Sequence, residues 1–195
     1  VAYYVYAYTK LLANGEIKDG EKNNVVVPTG NLGNILAAYY AKNLGVPIAK
    51  LICASNDNKV LYDFFQTGTY DKNREFVLTT SPSMDILISS NLERLLYLMA
   101  DESTAAVQTF MDQLKEIGRY EVTEAMQEKA KDFYADYATE EEVSAQIAAL
   151  YHAEGYVIDP HTAVAAHVAN TYVAETDDHT PIIIASTASP YKFPQ

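Results

Sequence analysis

Two glycines and two asparagines fall within the five residues Gly30, Asn31, Leu32, Gly33 and Asn34, one residue after the apolar run "VVVP" at 25–28. A helix-like segment, "ILAAYYAKNL", follows. A loop that leads from a strand into a helix presents backbone N–H groups that lack helical partners, and the helix dipole adds partial positive charge. Gly30 and Gly33 allow a tight turn and close backbone approach to a ligand. Asn31 and Asn34 tolerate unusual backbone angles and offer side-chain amides. Together these residues make an anion cradle, most naturally for a phosphate. The alternative is a tight turn with a helix cap and no ligand, although two Gly and two Asn exceed what a plain turn needs. The loop is not a Walker A loop, because no Gly-Lys-Ser/Thr follows, and glycines three apart do not make G-x-G-x-x-G. It contains no basic residue, so an anion there would be held by amides and dipole.

Other residues carry weaker signals. His161 and His167 are six apart and do not share a helix face, so no metal pair is expected. His161 could equally be a locally hydrogen-bonded residue at a helix start. Arg94, in "SSNLERL", could contact a substrate phosphate or pair with an acid on its own helix. Thr187 alone would be an ordinary turn residue. Cys53 is the only cysteine and lies in the apolar run "KLICAS", where it reads as a buried core thiol. The 16 tyrosines fit half-buried helix faces better than a cofactor stack.

The pattern along the chain predicts the elements that position this loop. A helix over 2–13 ends near Gly15, a short buried strand covers 25–27, and a helix runs from Ile35 to about Leu44. A strand follows over 48–54, then a helix from Asn58 to about Phe65. Residues 66–90 read as a long ordered loop. Ser90 and Glu93 have capping-box spacing, as do Thr139 and Glu142. Helices are expected over 103–118, 123–137, 140–154 and 161–175, and a third short strand over 182–184. Strands separated by helices predict an α/β fold, a partial parallel sheet flanked by helices. Three strands make a thin sheet for 195 residues, and "VAYYVYAYTKLL" opens inside a helix pattern without methionine, so a piece of a longer chain is expected.

The formal charge of −12 argues against a nucleic-acid surface and against anionic membranes. No apolar run reaches the ~20 residues of a membrane span. A single cysteine fits a reducing compartment, and the expected location is the cytoplasm.

The stretch "VVVPTGNLGNILAAYYAKNLGVPIAKLICASNDNKVLYDFFQTGTY" resembles the threonine synthase family of bacterial and fungal type. So do "SPSMDILISSNLERLLY", "IDPHTAVAAHVA" and "IIASTASPYKFP". The likeness spans nearly the whole chain and weakens over 101–155. Leu32 departs from the commonest loop form, which has Phe there; on the expectation that this residue acts through its backbone amide, the change is minor. The resemblance implies a pyridoxal-phosphate (PLP) enzyme of fold type II that converts O-phospho-L-homoserine and water to L-threonine and phosphate. It implies that Gly30, Asn31, Leu32, Gly33 and Asn34 wrap the cofactor phosphate and that the Thr187 hydroxyl meets the ring nitrogen. The family's Schiff-base lysine lies upstream in a Phe-Lys-Asp context, which none of the 11 lysines here shares. Residues 1–195 then form part of a larger PLP-binding domain with a helical segment at about 101–155. On this reading the isolated chain does not turn over substrate and self-associates through an open sheet edge. Three alternatives stay open: another fold-type-II lyase or dehydratase, a nucleotide-binding α/β module with Asp57 as the ribose acid, and a non-catalytic interaction domain.

Overall fold

The structure, a computed structural model, describes residues 1–193. The helices are α1 (Ala2–Ala13), α2 (Gly33–Asn43), α3 (Val60–Thr67), α4 (Leu92–Met99), α5 (Thr104–Glu116), α6 (Glu124–Lys129), α7 (Glu140–Glu154) and α8 (Pro160–Thr176). The strands are β1 (Asn23–Pro28), β2 (Ile48–Ser55), β3 (Thr69–Asp71), β4 (Arg119–Glu121), β5 (Phe133–Tyr137) and β6 (Ile182–Ile184). Pro194, the last residue of the "YKFP" motif, lies outside the described residues.

Four strands form one parallel sheet in the order β5-β2-β1-β6. Every residue of β1 is buried, as a continuous apolar strand covered on both faces must be. Its side chains divide with the strand period of two. Val25 and Val27 join one core with Ile35 and Leu36 of α2 and Phe64 of α3. Val26 joins a second core with Ala163, Val164 and Val168 of α8. Small residues along α8 let this helix sit close to the sheet. The chain is thus an α/β layer structure with helices on both faces.

The sheet has one strand more than the sequence pattern suggests. The helix expected over 123–137 is split: α6 stops at Lys129 and β5 begins at Phe133. β5 pairs with β2 from Leu51↔Phe133 to Ser55↔Tyr137. Along "FYADY" Phe133 and Ala135 are buried while Tyr134 and Asp136 are half-buried, and tertiary pairing with β2 decides for strand. The supposed helical segment at 101–155 also contains β4, which pairs with β3 from the supposed loop at 66–90. Tyr70 and Tyr120 stack across that pair with ring centroids 5.3 Å apart.

Of the two capping boxes, one forms. Thr139 Oγ1 accepts from Glu142 N–H and Glu142 Oε2 accepts from Thr139 N–H. At α4 the cap residue is Asn91, with no side-chain cap hydrogen bond. Ser90 instead donates its hydroxyl to Asn31 Oδ1 at 2.9 Å. Cys53 is fully buried, and burial pushes its thiol up to about 12. It is therefore protonated at neutral pH and no nucleophile.

Candidate functional site

The site forms at the C-terminal ends of β1, β2 and β6, where open parallel sheets bind ligands. Thr29 directly follows β1, with its N–H donated to Ala54 O at 2.8 Å and its Oγ1–H to Val27 O at 2.7 Å. The chain then leaves the sheet through Gly30, Asn31 and Leu32 and enters α2. No side chain caps α2. Among the described residues, the N–H groups of Gly30 through Asn34 have no protein acceptor. Five donors at a helix start, left without protein partners, suit an anion.

Leu32 works differently from the sequence expectation. Its backbone is left-handed, with φ 58°, and its side chain is 1 % exposed in the core beside α2. The residue anchors the loop through a buried side chain as well as through its amide. The sequence reading missed this because a loop position gives no periodic signal for burial.

Both asparagines are held in place. Asn31 Oδ1 accepts from Ser90 Oγ–H and from Asn91 N–H, tying the loop to the start of α4. Asn34 Oδ1 accepts the Tyr4 hydroxyl of α1 at 2.8 Å.

Opposite the loop, the segment "SPSMD" forms a wall. Gly30 packs against it so closely that a Cβ would lie 2.8 Å from Met84 Cα. Asp85 holds the wall in place: its carboxylate accepts from Asn56, Asn58 and both the N–H and hydroxyl of Thr79. Asn56, Asn58 and Ser81 are buried. A buried polar network with its members paired gives one rigid arrangement. Sequence reasoning placed this segment in a long ordered loop without assigning it a role; the clustered Ser, Thr, Asn and Asp were the available signal.

A cavity of about 330 Å³ opens on the loop and is lined also by Ser83, Met84, Asn91, His161 and Thr187. A second space of about 510 Å³ adjoins it between α1 and β6 and shares Asn34 and Thr187. Such volumes suit a small cofactor or substrate. Thr187 arrives because β6 pairs in parallel with β1, from Asn24↔Ile182 to Val26↔Ile184. All six residues singled out in the sequence, Gly30 to Asn34 and Thr187, therefore line one cavity.

Other candidates separate. Arg94 is exposed and outside both spaces. No lysine lines either space. Lys42 pairs with Asp132 at 3.0 Å, Lys129 with Asp101, and Lys59 sits over the Tyr137 ring. Asp57 accepts from Glu140 N–H at the start of α7, a structural use that leaves it ill placed as a ribose acid.

Known proteins similar to this chain share one description. A family model described as threonine synthase, C-terminal, matches residues 162–195. Human threonine synthase-like 1 is 47 % identical over 99 % of this chain and 26 % of its own length. Threonine synthase of Saccharomyces cerevisiae is 39 % identical over 99 % of this chain and 40 % of its own length. A crystal structure of PLP-bound threonine synthase from Brucella melitensis superposes with a TM-score of 0.88 at 39 % identity, covering 98 % of this chain and 40 % of that one. The chain spans between about a quarter and two fifths of the relatives it matches. By sequence over nearly its full length the chain is similar to members of the threonine synthase family, and its sheet and helices have the fold type II arrangement of their structures.

Proposed function

We propose that this chain is the part of a PLP-dependent threonine synthase that holds the cofactor phosphate and the ring nitrogen. The observation that carries this reading is the row of five N–H groups, Gly30 to Asn34, without protein acceptors among the described residues, on residues that line one cavity with Thr187. These residues fit the group: the donors suit a phosphate, and a neutral hydroxyl suits a pyridine nitrogen. When bound, the cofactor supplies an electron sink for carbanion chemistry at the substrate amino acid. The chain's residues bind and orient. Gly30 to Asn34 fix the phosphate, the 81–85 wall limits the depth of the cradle, and Thr187 sets the ring position. The Thr187 hydroxyl would pair with the nitrogen without adding the negative charge an Asp would bring.

On this reading the whole enzyme converts O-phospho-L-homoserine and water to L-threonine and phosphate in the cytoplasm. The covalent lysine comes from outside the 195 residues, so the chain alone binds cofactor and does not turn over substrate. Mixing the chain with PLP, reducing with borohydride and mapping lysines by mass spectrometry tests this. The expected result is scattered weak labelling, with non-covalent retention of PLP and none of pyridoxal. One lysine labelled stoichiometrically, or equal retention of pyridoxal, would sink the reading.

We further propose that the isolated chain self-associates. β6 is a sheet edge, and beside it Tyr3 and Tyr6 of α1 are 86 % and 61 % exposed. Unpaired edges beside apolar surface invite pairing with another chain. Light scattering that returns only monomer at tens of micromolar would count against it.

A further inference from the structure

His161 is the one ionisable side chain among the residues that line the loop cavity. The imidazole side chain is 3 % exposed. Nδ1 lies 2.9 Å from Asp159 Oδ1, and Nε2 accepts the Ser83 N–H at 3.3 Å. This pattern places the ring proton on Nδ1, donated to Asp159. Asp159 is fully buried and caps α8, accepting also from His161 N–H, Thr162 N–H and the Thr162 hydroxyl. The Phe193 ring lies 4.9 Å from the imidazole. Asp159 is thus the charged group facing the imidazole among the described residues; the 82–84 turn contributes an uncharged amide, and the β1–α2 loop and Thr187 carry no charge.

We propose that the cradle binds its anion together with a proton, which His161 takes up on Nε2. The inference deepens the phosphate reading above and rests on it. A dianion in a cavity without Lys or Arg favours a nearby cation. The imidazolium has its counter-charge ready in Asp159, which already holds Nδ1–H. Protonation at Nε2 ends its role as acceptor for Ser83. The Nε2–H and the Ser83 N–H, their nitrogens 3.3 Å apart, then oppose each other, so the proton is taken up only where a bound anion accepts from them. The linkage has a definite sign: a bound anion raises the proton affinity of His161, so anion affinity is high at low pH and falls as pH rises through the histidine range.

Sulfate is the suitable probe, because it stays a dianion across this range, whereas phosphate itself titrates. NMR on the 195-residue chain would follow the His161 ring and the amides of Gly30 to Asn34 during sulfate titrations at pH 6 and pH 8. The expected result is an upward move of the His161 midpoint by about one unit at saturation and about tenfold tighter sulfate binding at pH 6. Amide shifts with an unmoved His161 midpoint would overturn the proposal while leaving the cradle intact. If neither the amides nor the ring responds, the cradle reading and this one fall together. In a second arm, H161Q should bind sulfate at pH 6 only as tightly as the native chain does at pH 8. A retained pH dependence in H161Q would assign the proton to another group and overturn the proposal, and the ring titration in the native chain decides the matter even if H161Q does not fold.

Discussion

Gly30→Ala is expected to weaken PLP binding by about 100-fold. Its backbone angle does not require glycine; the space does. A Cβ would lie 2.8 Å from Met84 Cα and 3.0 Å from Met84 O, both backbone atoms. Neither can rotate away, and the wall behind them is fastened through Asp85 to Asn56, Asn58 and Thr79. The loop itself must move. Two misaligned N–H···phosphate hydrogen bonds, at about 1.5 kcal/mol each, give about 3 kcal/mol, which is the stated factor. Overpacking adds a stability loss of about 1–3 kcal/mol. Gly33→Ala is the internal control. Its Cβ would meet Asn91 Nδ2 at 2.9 Å, the tip of a flexible side chain that can turn aside. Fluorescence titration with PLP should therefore place G33A between the native chain and G30A. Equal loss in both variants would contradict the idea that the wall sets the cradle.

Leu32→Ala is expected to destabilise the chain by about 2–5 kcal/mol in urea denaturation, as other fully buried leucines do when truncated. The side chain is 1 % exposed and packs in the core beside α2. Its left-handed backbone makes a second comparison informative. In most contexts glycine is less stable than alanine. At φ 58° alanine keeps the left-handed strain of about 1–2 kcal/mol, which glycine escapes. L32G should thus equal or exceed L32A in stability. If L32A unfolds at the native urea midpoint, the anchoring role assigned to this side chain is wrong.

The two variants mark where sequence reasoning reached and where it stopped. The loop, its flanking strand and helix, and the late strand β6 follow from local pattern: a β-branched run, a glycine pair, then helical period. The gathering of Gly30 to Asn34 with Thr187 follows from parallel order once β6 is placed beside β1. Burial of Leu32 and the wall at 81–85 depend on contacts between distant segments, and no spacing rule encodes them. β5 was hidden for a related reason, since the five residues "FYADY" carry no clear period of their own and suit either state until β2 lies alongside. Ser90 shows the reverse error: capping-box spacing was present, yet its hydroxyl found a better partner in Asn31.

Pairing of Asn24 with Ile182 has a consequence for how the molecule is assembled. Almost the whole chain separates these two residues, and long loops close late because chain entropy opposes them before any contact rewards closure. β1 and β2, close in sequence and joined by α2, can dock early and bring the glycine loop with them. β6 is only three residues long and joins at the edge. The two halves of the proposed site are therefore expected to form at different times, the glycine-loop half first and the Thr187 half last, and the half that closes last is also the first to open in local unfolding. A ligand that spans both halves acts as a clasp on the β6 edge.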